Sequence, residues 1–157
     1  MRSKWEITIT EHNTMKIILS LLNLLAGLVL VRFTISKFAA WPISVAAFED
    51  MAKPLGIDPT MFRIGTGFII GFAALFFFVN AILILRKCLE RNQCVRLFTI
   101  ANLYGIGAMV GALFSEFFLR TEVKWMLVYI AAAIICIALI NLFSHRQKIT
   151  NLLKKVS

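Results

Sequence analysis

Acidic residues, cysteine, proline and histidine are all scarce in this sequence. Its 157 residues include eight Asp and Glu, three Cys, three Pro and two His. Three cysteines in a chain of this length exclude a disulfide scaffold. Cys88 and Cys94 form no C-x-x-C pair, and Cys136 lies in an apolar run, so redox chemistry carried by the chain itself is not expected. With His12 and His145 far apart, no His, Cys, Asp or Glu cluster has metal-ligand spacing. No nucleophile–base constellation, nucleotide motif or haem motif is present either. The sequence therefore predicts no cofactor, no metal and no self-contained catalytic site.

Apolar residues fill the space those absences leave. The chain is 60% hydrophobic and 16% charged, with a mean hydropathy of +0.84. A soluble domain runs nearer half apolar and about a quarter charged. An all-α membrane protein is expected, one integral domain over 1–157, with no room for a separate soluble catalytic domain. The net charge of +9 does not imply nucleic acid, because no basic stretch is free of apolar neighbours.

Four stretches suffice to cross a hydrocarbon core, which takes about 20 helical residues. They are 17–38, 64–85, 97–115 and 125–144. In lipid the backbone must satisfy its own hydrogen bonds, so each is predicted to be a helix. Short connections then give an up-down-up-down bundle. The first apolar run is longer than a signal-peptide core and no A-x-A-like site follows it, so it is predicted to remain as a span.

Charge orients the bundle. Arg2, Lys4, Lys16, Arg86, Lys87, Arg91, Arg96, Arg146, Lys148, Lys154 and Lys155 fall on one side with only Glu6, Glu11 and Glu90. The other side balances five basic residues against five acids. By the positive-inside rule both termini are expected in the cytoplasm of a cell with an inner membrane. Attraction to anionic lipid is a by-product of that asymmetry. Membrane lipids are expected partners, with a protein partner or a homo-oligomer also open.

The first outer connection, 39–62, holds all three prolines. Within it Val45, Phe48, Met51 and Leu55 recur at helical spacing, which predicts a short helix in the outer interface. Asp58-Pro59 reads as an N-cap and first-turn proline for the second span. Thr121 is the expected cap of the fourth.

Three groups of residues stand out as candidate sites. Gly67-x-x-x-Gly71 and Gly107-x-x-x-Gly111 put small residues one turn apart, predicting close packing between spans two and three; a homodimer seam is the alternative. Arg32 lies roughly 22 Å into the first span at 1.5 Å per residue, a costly place for a charge. With Lys37, Glu116 and Arg120 it outlines a polar pocket at the outer end, where Glu116 is the expected partner of Arg32. The alternative is that Arg32 and Lys37 snorkel. Asn23, Asn80, Asn102 and Asn141 fall one per span at similar depth, so their amides are expected to bond as a layer, as structural glue or a polar binding floor.

One segment resembles a known family. Gly27-Leu-Val-Leu-Val-Arg32-Phe-Thr-Ile-Ser-Lys37-Phe38, then Phe48, Leu55-Gly56, Gly65 and Gly71-Phe-Ala-Ala-Leu-Phe, are similar to the DoxX-like proteins over residues 24–85. The resemblance implies a four-helix membrane bundle whose first span ends in a small-x-x-Lys-hydrophobic pattern. Many relatives carry a glutamate shortly after the first glycine of span two, where this chain has Phe68, so no role of that acid carries over. Some relatives belong to quinone-linked oxidoreductase assemblies, and an animal branch assists receptor assembly. The expected function is a subunit or accessory of a larger membrane assembly. A small-molecule or lipid binder using the pocket around Arg32, and a quinone-handling oxidoreductase subunit, are the alternatives.

Overall fold

The computed structural model describes residues 4–86 and 88–156, with side chains over 14–86, 88–152 and at 154. Its described residues form six α-helices and no strand. They are α1 (Lys4–Phe38), α2 (Pro42–Ala52), α3 (Pro59–Leu85), α4 (Asn92–Phe118), α5 (Trp125–Ser144) and α6 (Arg146–Val156). Segments Thr14–Phe38, Pro59–Leu85, Asn92–Phe118 and Trp125–Ser144 are long and apolar enough to cross a membrane. These four mark the chain as a multi-pass membrane protein. The first three run beyond their apolar runs, because polar flanks continue the helix until a cap or turn stops it.

The ends are set by local chemistry. Lys37 lies in the last turn of α1, which closes as Trp41 N–H donates to Ser36 O at 3.1 Å, with Ala40 at φ 50°. That is a left-handed C-terminal cap, here without glycine. The Asp58 carboxylate accepts from Met61 N–H at 2.7 Å and Pro59 opens α3, as the sequence predicts. Thr121 does not cap α5; Lys124 holds that position, and Thr121 is engaged elsewhere. The basic tail also folds into a helix, α6, which the sequence reading did not anticipate. Its signal was Ile149, Leu152, Leu153 and Val156 at helical spacing.

α1 lies most extensively on α3, α4 packs on both α3 and α5, and α2 rests on α3. The core is built from one stripe on each helix. Ala26 and Leu30 of α1 meet Ile70, Ala73, Ala74 and Phe77 of α3, Met109 of α4, and Ala131, Ile134 and Ala138 of α5. A second cluster gathers Leu19, Leu83, Ile84, Leu89 and Phe98. Opposite faces carry exposed Leu25, Leu28, Phe72, Leu103, Phe114 and Phe143, a pattern suited to hydrocarbon and not to water.

The glycine seam differs from expectation. A Cβ at Gly67 would meet the Phe38 ring at 3.2 Å, and one at Gly71 would meet Thr34 Cγ2 at 3.3 Å, so both glycines face α1. Gly107 and Gly111 face open space. The close approach of α4 to α3 is made by Gly105, whose added Cβ would lie 2.9 Å from the fully buried Phe77 ring. Gly105→Ala should therefore destabilise the bundle by ~1–3 kcal/mol, as overpacking does. Gly107→Leu should stay within about 0.5 kcal/mol, as surface changes do. Unfolding both variants in mixed detergent micelles measures the contrast, and equal losses would reject it.

Candidate functional site

Two polar layers interrupt the apolar interior, separated along α1 by the fourteen residues from Asn23 to Lys37, about 21 Å of helix. All four asparagines are fully buried. Three of them bond together. Asn141 Nδ2 donates to Asn23 Oδ1 at 2.9 Å and to Asn102 Oδ1 at 2.8 Å, and Asn23 Nδ2 donates back to Asn141 Oδ1 at 3.0 Å. Asn23 and Asn102 also donate to Leu19 O and Phe98 O of their own helices, each at 2.7 Å. This triad ties α1, α4 and α5 together. Asn80 does not join it: its amide nitrogen and oxygen are buried with no hydrogen-bond partner. The tie to α3 comes instead from Ser20 Oγ, which donates to Ala81 O at 3.1 Å.

The second layer lies at the end covered by α2. Glu116 is buried and its carboxylate is fully engaged. Arg120 Nη1 donates to both oxygens at 3.0 Å, and Lys124 N–H donates to Oε1 at 2.6 Å. This i,i+4 pair with a backbone donor added closes the α4–α5 connection on itself. Arg32 has no share in it. The guanidinium is on the exposed face of α1 and forms no hydrogen bond or ion pair among the described residues. Helical phase is the reason: Asn23, Leu30 and Lys37 follow one another at intervals of seven on the buried stripe. Arg32, two residues past Leu30, is rotated about 200° away from that stripe. Of the four expected pocket residues, only Glu116 and Arg120 are joined.

Lys37 belongs to a different group. Its Nζ stands 5.8 Å from the Phe33 ring centroid and 5.5 Å from that of Phe48 on α2, so its charge rests on two aromatic faces. Phe48 packs edge-on against Phe62 of α3 at 5.1 Å, and Arg63 is the next residue. Arg63 also precedes Gly67 by one turn, and a Cβ on Gly67 would lie 3.4 Å from Lys37 Cβ. Lys37 and Arg63 are each only 8% exposed. Among the described residues neither forms an ion pair; the pairs present are Lys53–Asp50, Arg120–Glu116 and Lys124–Glu122. Arg63 Nη1 has no hydrogen-bond partner, nor has the buried Ser44 Oγ one turn before Phe48 on α2. The corner of α1, α2 and α3 thus collects two buried cations and a hydroxyl. In the sequence Arg63 counts only as one of the five basic residues of the outer side, and Ser44 is not singled out. Arg63 had a signal, for it starts the buried sequence Arg63, Ile70, Phe77, Ile84 at intervals of seven.

α2 is strapped over this corner from its far side. Thr121 donates to Asp50 twice, N–H to Oδ2 at 2.9 Å and Oγ1–H to Oδ1 at 2.6 Å. These bonds hold the Asp50 carboxyl below its ordinary value of 3.8, the side-chain bond contributing most.

No protein-family model, curated protein or solved structure matches the chain. The class defined by its own structure is a multi-pass helical membrane protein with two buried polar layers.

Two outcomes follow from these layers. Asn141→Leu strands two amide oxygens and should cost ~1–2 kcal/mol, whereas Asn80→Leu removes amide atoms that lack partners and should be neutral or stabilising; chemical unfolding in micelles ranks them, and the reverse order would refute the assignment. Because the folded pKa of Asp50 is depressed, its strap contributes fully above about pH 3.8 and is lost as pH falls through the lower folded value. The melting-temperature gap between wild type and Asp50→Asn should stay constant from about pH 8 to 5 and close only in stronger acid; a gap closing near neutrality would contradict this.

Proposed function

We propose that the chain is a DoxX-like integral membrane protein that binds a small ligand at the corner of α1, α2 and α3. The observation that carries the reading is that Ser44 Oγ and Arg63 Nη1 are buried without a hydrogen-bond partner, while the buried Lys37 on the third helix has two aromatic rings but no carboxylate beside it. A buried polar group left without a partner costs ~1–3 kcal/mol, more when charged. Groups that merely hold a fold together are ordinarily satisfied, as the asparagine triad and Glu116 are. A ligand offering acceptors to all three offsets that cost. The DoxX-like resemblance supports the same place, since its small-x-x-Lys element ends on Lys37.

In this reading the four spans run up-down-up-down through an inner membrane with both termini in the cytoplasm. The charge asymmetry supports that orientation. The ligand corner then faces outward, with α2 in the outer interface. An accessory role in a larger assembly fits a chain of this size, which would hold the ligand for a partner.

Purification in mild detergent followed by native mass spectrometry tests the proposal. Wild type should carry a small molecule or lipid that survives detergent exchange. The Lys37→Met/Arg63→Met double variant should retain its helical circular dichroism and lose that mass. Equal retention by both, or a wild type with nothing bound, would overturn it.

A further inference from the structure

We propose that the ligand taken at this corner is a phosphate-bearing anion, and that an anionic phospholipid headgroup is its source; this rests on the ligand-binding reading above. Charge comes first. Lys37 and Arg63 bring two positive charges to one buried corner, and the nearby carboxylates are committed elsewhere. Glu116 is held by Arg120 and Lys124, Asp50 by Thr121, and Asp58 by Met61 N–H, while Glu49 is exposed. A neutral ligand or a water would satisfy donors and leave both buried charges without a counter-charge. An anion answers both needs.

Donor chemistry narrows the class. Arginine presents a planar fork suited to bidentate binding of phosphate, lysine adds a compact point charge, and the serine hydroxyl supplies one further donor. A carboxylate can accept from three donors, as Glu116 does, but a phosphodiester spreads its acceptor sites over more oxygens and so suits donors arriving from three helices. The aromatic faces of Phe33 and Phe48 compensate Lys37 in part. Arg63 Nη1 is buried with no hydrogen-bond partner, so Arg63 carries the larger deficit.

Position favours the lipid over a soluble phosphate. Lys37 is in the last turn of α1, and Arg63 is in the first turns of α3, which opens at Pro59. In the proposed topology both sit near the end of the hydrocarbon region, where phospholipid phosphates lie.

The test follows the melting temperature of purified protein in uncharged detergent while phosphatidylglycerol, phosphatidylcholine or inorganic phosphate is added. Phosphatidylglycerol should raise the wild-type value by several degrees and phosphatidylcholine should not. Arg63→Met should melt higher than wild type without lipid, because an unpaired buried charge has gone, and need about tenfold or more phosphatidylglycerol for half its effect. Arg63→Lys keeps the charge and should keep most of the response, which covers the case of a misfolded methionine variant. Stabilisation by inorganic phosphate alone would assign a soluble source in place of the lipid. An unmoved wild type with both anions, or a methionine variant that melts lower and responds like wild type, would overturn the anion site. If native mass spectrometry still finds a neutral ligand that the double variant loses, the ligand-binding reading stands and only its charge is wrong.

Discussion

Everything polar inside this protein must find its partner among four helices, because a hydrocarbon surrounding offers no water to finish a hydrogen bond. That constraint selects which face of each helix turns inward. On α1 the inward positions include Asn23, Leu30 and Lys37; on α3, Arg63, Ile70, Phe77 and Ile84; on α4, Val95, Asn102, Met109 and Glu116. Each series advances by seven, close to two helical turns, which keeps a straight seam toward neighbouring helices. On these three helices the buried polar residues are members of the series or lie within three or four positions of one. The apolar core fills the positions between them, so polar layers and core are one pattern.

That pattern also explains what could be read from the sequence. Span existence needed only length and hydropathy, and the 125–144 boundaries coincide with α5 because polar residues flank an uninterrupted apolar run. α2 was visible in the spacing of Val45, Phe48 and Met51. Partner assignment was not visible, because it depends on rotation about each helix axis, and depth alone says nothing of rotation. Arg32 and Lys37 differ by little in depth and face different ways. Gly107 and Gly111 form a motif but flank Met109, the inward residue, by two on either side, so both turn away from the core. Counting in sevens from a buried asparagine would have recovered Lys37 and Glu116 and rejected Arg32. Thr121 was misread for another reason: its partner Asp50 is 71 residues away, and a cap is a local inference.

The two polar layers treat the same constraint differently. At the asparagine layer, the triad exchanges amide bonds until only Asn80 is left over. Such bonds contribute roughly 1 kcal/mol or less apiece in membrane proteins, so three of them are glue and no more. At the α2 end the accounting does not close. Glu116 is over-supplied with donors, while Lys37 and Arg63 are left without a carboxylate. A fold selected for stability alone would have moved one acid to that corner or made it apolar, since well-packed apolar replacements of buried charge are often at least as stable. Retaining two cations there is the feature on which the proposed anion site rests.

α2 joins that corner to the rest of the molecule. Its buried face carries Ser44 and lays Phe48 against Lys37, and Asp50 on the same helix is held by Thr121. Thr121 follows Arg120, which grips Glu116, and Glu116 in turn holds Lys124 at the start of α5. A continuous chain of charge-assisted bonds therefore runs from the lid of the corner to the mouth of the α4–α5 connection. An anion bound between Lys37 and Arg63 would draw Ser44 toward itself and bear on the same short helix that Asp50 anchors. The corner and the α4–α5 connection thus share one element, eleven residues long, with the buried Ser44 near one end and the Asp50 carboxylate fastened to Thr121 near the other.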